Sequence, residues 1–173
     1  MNITQTKEQI IALSALQSNC EMLSIDLLSC NATRPKTGAV FSGPFSARPM
    51  VSNVSCTHLD SKLVVELAFE YSAWDSSEPA ERIFHINCVF EVAYRLNEGY
   101  TPSEEEKSSF SRGTALLNCW PYAREFFRDI TTRLGHPAPT LPLLRISPKL
   151  SNAPSTGEKE LSHHIKDVSV EKL

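Results

Sequence analysis

LVVELAFEYSAWDSSEPAERIFHINCVFEVAYRL, residues 63 to 96, alternates through two long runs separated by a polar break. In the first run Leu63, Val65, Leu67, Phe69 and Tyr71 share one parity, and Val64, Glu66, Ala68 and Glu70 take the other. In the second, Phe84, Ile86, Cys88, Phe90, Val92, Tyr94 and Leu96 face one way, with His85, Asn87, Glu91 and Arg95 opposed. A period of two belongs to a strand with one buried and one wetted face, because successive side chains point to opposite sides. The break SAWDSSEPAER supplies the turn, so the two runs are long antiparallel strands of one sheet.

Upstream, EMLSIDLLSC (21–30) sets Leu23, Ile25 and Leu27 against Ser24 and Asp26 and reads as the first strand; Val51 to Leu59 reads as the second. Between them, residues 31–50 carry Pro35, Gly38, Gly43, Pro44 and Pro49, which predicts a long crossover loop. Val40, Phe41 and Phe45 make that loop unusually apolar. A loop of such length commonly has a task; the alternative is that its phenylalanines only plug it onto the domain. KEQIIALSAL (7–16) is compatible with a short opening helix through Ile10, Ile11 and Leu13.

Downstream, TPSEEE offers Thr101 as a helix cap, with Pro102 in the first helical position and Glu104 three residues after the cap. This helix is expected to end near Arg112-Gly113. A longer one follows from about Ala115 to Leu134, with Gly135 as its stop. Leu116, Trp120, Ala123, Phe127, Ile130 and Leu134 fall in one stripe of it at about 100° per residue and are predicted to cover the sheet. Tyr122 and Phe126 project from a different side, which points to contact with another subunit or a bound chain. Glu125 with Arg128 and Asp129 with Arg133 have the spacing of solvated helix pairs. Beyond the helix, Pro137, Pro139, Pro142, Pro148 and Pro154 predict an extended, irregular course.

The expected organisation is α+β: a four-stranded antiparallel sheet with a long C-terminal helix on one face, occupying 1–147, and a polar tail over 148–173. At 173 residues and 41% hydrophobic, one compact core is the natural size. A net charge of -3 argues against a dominant electrostatic grip on nucleic acid or an anionic membrane. No apolar run reaches membrane-spanning length and the start lacks a basic signal region, so a soluble, cytoplasmic protein is expected.

The five cysteines, Cys20, Cys30, Cys56, Cys88 and Cys119, include no CxxC pair and read as reduced structural thiols. A glycine-rich phosphate loop, a GxSxG elbow and an HExxH helix are all missing from the sequence. His58, His85 and His136 are isolated, and His163-His164 sits in the tail without convergent acids or thiols. The chain is therefore expected to be no enzyme, with no catalytic residue, metal or cofactor.

One match is more specific. Pro121-Tyr122-Ala123-Arg124-Glu125, followed by Arg133, Gly135, Pro137 and Leu141-Pro142, resembles the SecB chaperone family in its PYARE helix, Arg-Gly exit and proline-leucine extension. The resemblance implies a dimer of dimers whose helices meet at the centre, with Tyr122 and Phe126 near the subunit interface. It further implies a holdase that keeps client polypeptides unfolded without ATP. By location, the client-binding surface would include Phe41, Phe45 and Met50 from the crossover loop, with Leu143, Leu144 and Ile146 beside them.

The chain departs from the export members of that family after Pro142, because ISPKLSNAPSTGEKE is too rich in proline to begin their second helix. Glu66, Glu70 and Glu91 lie on the face that docks the SecA motor in those members, although any wetted sheet carries acids. The departures look more like divergent SecB-like proteins, some of which guard an antitoxin. An oligomeric scaffold on this fold, without client binding, is the alternative, and a small-molecule binder or enzyme ranks last.

Overall fold

The computed structural model describes residues 2–34, 45–75 and 82–148. Phe41 and the tail from residue 149, with His163-His164, lie outside the described residues.

The two alternating runs form β4 (Lys62–Asp75) and β5 (Arg82–Leu96), paired antiparallel. Their register sets Leu63 opposite Tyr94, Val65 opposite Val92, Leu67 opposite Phe90 and Phe69 opposite Cys88, so the two apolar rows merge into one buried face. β2 (Cys20–Thr33) adds to the free side of β5, and β3 (Phe45–Leu59) to that of β4, giving the order β2-β5-β4-β3. A two-residue turn joins β3 to β4, with Asp60 at φ 51°, as a tight hairpin of this twist requires.

The crossover is shorter than expected. β2 runs on to Thr33 and β3 begins at Phe45, so Pro49 and Met50 belong to a strand. Proline is tolerated there because β3 is an edge strand, whose outer row of backbone groups needs no partner.

α2 (Glu104–Phe110) is capped by Ser103, not Thr101: the Ser103 side chain accepts from Glu106 N and the Glu106 carboxylate accepts from Ser103 N. Pro102 precedes the cap and is buried. The expected break at Arg112-Gly113 does not occur. A π turn, Ser111–Ala115, carries the rod directly into α3 (Leu116–Arg133), with Pro121 in its second turn. Gly135 (φ 83°) ends α3, with Gly135 N donating to Thr132 O and His136 N to Thr131 O, the paired bonds that glycine makes possible at this position.

The predicted stripe meets the sheet. Leu116, Trp120, Ala123 and Phe127 are buried, and Ile130 and Leu134 pack half-buried against the same core. Ring contacts tie helix to sheet, Trp120 to Phe69 at 5.9 Å and Phe127 to Tyr71 at 5.4 Å.

The termini hold two further elements. α1 (Lys7–Gln17) buries Leu13 and Leu16, while Ile11 is exposed and Ile10 half-buried, so the expected contact residues are displaced toward the second turn. β1 (Asn2–Gln5) pairs in parallel with β6 (Arg145–Pro148), which closes the two ends of the domain on each other. Between α3 and β6 the proline-rich strap is fastened by Trp120 Nε1 donating to Pro142 O at 3.0 Å and by buried Leu141.

Candidate functional site

The sheet is wider than the helix that covers it, and this mismatch creates the principal surface. In β2 the residues opposite the buried row of β5 are Met22, Ile25 and Leu27, facing Tyr94, Val92 and Phe90. They lie on the α3 side, yet Met22 is 46% and Leu27 44% exposed. Two bulges, between Met22 and Ser24 and between Leu27 and Ser29, insert Leu23 and Leu28 as extra residues, both also exposed. Each bulge resets the alternation, so Leu23 is not simply a member of the Ile25-Leu27 row.

From the helix, Phe126 reaches over this open margin, its ring edge-on to Phe90 at 6.1 Å. Phe126 is thus half-buried against the core, whereas Tyr122, one turn earlier, is 52% exposed. Tyr122 and Phe126 together with Met22 and Leu27 form an apolar shoulder along the β2 edge. Exposed apolar residues gathered on one side of a small domain are the kind of surface that another chain can cover.

The opposite edge does not gather the remaining candidates into one groove. Met50 pairs with Glu70 and lies on the sheet face away from α3, whereas Leu144 packs against the core on the α3 side and Leu143 next to it is 62% exposed. The sheet therefore stands between Met50 and the two leucines. Phe45 opens β3 opposite Asp75, and Ile146 sits in β6 opposite Ile3. Among these residues, the Leu143-Leu144 pair is the one set that the described fold keeps together.

A cleft missed by sequence reasoning opens beneath β3. It has a volume of about 460 Å³ and lies between the Val51–Val54 segment of β3, the end of β1 and the α2 to α3 junction. Gln5, Ser109 and Arg112 contribute to its lining, and no carboxylate does. The only sequence signal for it would have been a buried glutamine in a four-residue strand, too short to show a period.

The wetted face carries an acidic row. Register places Asp26 opposite Glu91 and Glu91 opposite Glu66, so three carboxylates line up across β2, β5 and β4, with Glu70 further along. Like charges directly opposed in a sheet repel and cost stability.

Elsewhere the ionisable groups are arranged for structure. Burial pushes the Cys88 and Cys119 thiols up to about 12 and Cys56 up to about 11, the opposite of what a thiolate nucleophile needs. Ser72 and His85, register partners, hydrogen-bond across strands at 2.7 Å. Among the described residues no cluster of three or more His, Cys, Asp or Glu could hold a metal ion, and no helix is long and apolar enough to cross a membrane.

No protein-family model matches the chain, and no curated protein does. Among solved structures, it is similar to the SecB-like chaperone of Mycobacterium tuberculosis in complex with a peptide from the HigA1 antitoxin. The two share 19% identity over 78% of this chain and 96% of the other, at a TM-score of 0.69. A Streptococcus agalactiae protein of unknown function matches at 11% identity over 72% of this chain and 97% of the other, at a TM-score of 0.38. The fold is SecB-like: a four-stranded antiparallel sheet with the long helix on one face.

Proposed function

We propose that this chain is an ATP-independent holding chaperone that keeps aggregation-prone polypeptides from associating, and that it works as a homo-oligomer in the cytoplasm. The observation that carries the reading is the apolar surface left uncovered at both sides of the domain, Met22, Leu23, Leu27, Leu28 and Tyr122 along the β2 side and Leu143 on the strap, more than one copy alone can hide. Burial of such surface is favourable by roughly 25 cal/mol per Å² and makes no demand on the sequence of the chain that covers it. The similar Mycobacterium chaperone, solved with an antitoxin peptide, supports a client that is a protein segment. An antitoxin or an exported precursor would both satisfy this.

Within the same reading, Tyr122 and Phe126 serve the contact between copies in a dimer of dimers, and the client takes the strap side, where Leu143 and Leu144 lie. Phe41, Phe45, Met50 and Ile146 would join that surface only through the crossover and the β6 end. The acidic row Asp26-Glu91-Glu66 supports a narrower proposal, docking of a basic partner such as the SecA motor, since nothing in folding favours opposed carboxylates.

Light scattering tests the main reading. A chemically unfolded reporter enzyme, diluted with an equimolar amount of this protein and no nucleotide, is expected to stay clear. Unchanged turbidity at several-fold molar excess would leave the oligomeric scaffold as the better description.

A further inference from the structure

Two of the five cysteines meet across strands. In the antiparallel pairing of β2 with β5, Cys30 stands directly opposite Cys88, and among the described residues no other two cysteines are register partners. Opposed residues of an antiparallel pair hold their Cα atoms about 4.5–5.5 Å apart and send their side chains to the same face. A disulfide needs a Cα separation of about 4.4–6.8 Å. The two strands thus already supply the spacing and the direction that such a bond requires.

The two thiols differ in what can reach them. Cys88 belongs to the buried row of β5 and is 1% exposed, whereas Cys30 is exposed on β2, the strand at the edge of the sheet. Burial, then the neighbouring thiols of Cys119 and Cys30, push the Cys88 thiol up to about 12. Cys88 therefore stays protonated and shielded, and an oxidant in solution meets Cys30 first. An accessible thiol with a second one beside it is the arrangement in which a first oxidation is captured as a disulfide instead of proceeding to the irreversible acids.

We infer that Cys30 and Cys88 form an oxidation site for hydroperoxides, at which Cys30 reacts first and Cys88 resolves the product into a disulfide between β2 and β5. The Cys30 thiolate attacks one peroxide oxygen, the O–O bond breaks, and the other oxygen leaves with the proton that Cys30 gave up, as water when the oxidant is hydrogen peroxide. The Cys88 sulfur then attacks the sulfur of the Cys30 sulfenic acid. An S–S bond forms, the S–O bond breaks, and the departing oxygen takes the Cys88 proton to leave as a second water. Two thiols have lost two electrons and two protons, and the peroxide has gained them. Exchange with a dithiol reductant, which ends as its own disulfide, restores both thiols. The bond closes just past Leu27 and Leu28 of the apolar shoulder, so oxidation pins that margin of β2 to β5. This site is independent of the holding function and stands or falls without it.

The test treats the full chain with hydrogen peroxide, blocks the remaining thiols with N-ethylmaleimide under denaturing conditions, and maps linkages by mass spectrometry of the unreduced digest. Three of the five thiols are expected to be blocked, with one peptide pair joining Cys30 to Cys88, and all five after prior treatment with dithiothreitol. Cys30→Ser, at an exposed position, should abolish the linkage, and Cys20→Ser should leave it unchanged. Cys88→Ala should strand Cys30 as a sulfenic acid that dimedone traps; where that change in the core impairs folding, the linkage map and Cys30→Ser decide. Five blocked thiols after peroxide would overturn the inference. So would Cys30 carried on to sulfinic or sulfonic acid with Cys88 still free, a Cys30-to-Cys30 bridge between copies, or a bridge from Cys88 to Cys119.

Discussion

Glu106 accepts from Ser103 N and from the Tyr100 hydroxyl, each at 2.7 Å. The Ser103 bond, then that from Tyr100, holds its carboxyl below the ordinary value of 4.5. A depressed carboxylate contributes stability that is present above its unfolded value and is lost as pH falls through its folded one. Ser103→Ala removes the side-chain half of the reciprocal cap, the bond from Glu106 N to the Ser103 hydroxyl, and is expected to cost about 0.5–2 kcal/mol in urea unfolding at neutral pH; a change under about 0.2 kcal/mol would mean that this bond is idle. His136 works one range higher. Burial, then the neighbouring Arg34, lowers its pKa from 6.5, and its ring lies 5.3 Å from that of Phe84. The unfolded chain therefore takes up a proton that the folded one resists, so stability should fall as pH drops below about 6.5. His136→Gln should flatten that slope between pH 7 and 5.5, and an unaltered slope would place its origin elsewhere. Neither device was legible beforehand, because Thr101 and Ser103 both offer plausible caps and a lone histidine gives no hint of its neighbours.

At the scale of elements, β4 and β5 were readable because each alternates without interruption for long enough to fix a face, and their register follows the parity. β2 was readable only as a strand: its bulges reset the parity, and its expected buried side is the exposed shoulder. The α2 to α3 rod was misread at Gly113, where a glycine that resembles a stop is buried in a π turn. β1 and β6, four residues each, carry no period at all. Two predictions belong here. Glu66→Gln relieves repulsion with Glu91 and should stabilise the sheet by about 0.2–1 kcal/mol in denaturant unfolding, where destabilisation would show that Glu66 has a structural partner. Leu27→Glu on the β2 margin should leave the thermal midpoint of the isolated fold within a few degrees, since Leu27 is already half in water, but should weaken assembly; a collapse of folding would mean that Leu27 belongs to the core.

For the whole molecule, what matters is the imbalance between a four-stranded sheet and a single covering helix. The α3-side face of the inner strands is covered, and much of the surplus apolar surface lies at the margins, the β2 shoulder on one side and the Leu143-Leu144 strap on the other. That division was only partly visible in the sequence. Tyr122 was rightly set apart from the stripe, but Phe126 also serves the core, and Met50 lies across the sheet from the leucines it was grouped with. Candidates carried over by location alone could not foresee this, since the face of a strand residue depends on where its strand begins and where it bulges. The account's central claim is that other polypeptides, sister copies first, cover these margins. Sedimentation velocity of the full chain at low micromolar concentration tests it most directly: a species well above the protomer mass of 19.3 kDa, shifted toward the protomer by Leu27→Glu or Tyr122→Glu, is the predicted result, and a single stable protomer in the unaltered protein would contradict it.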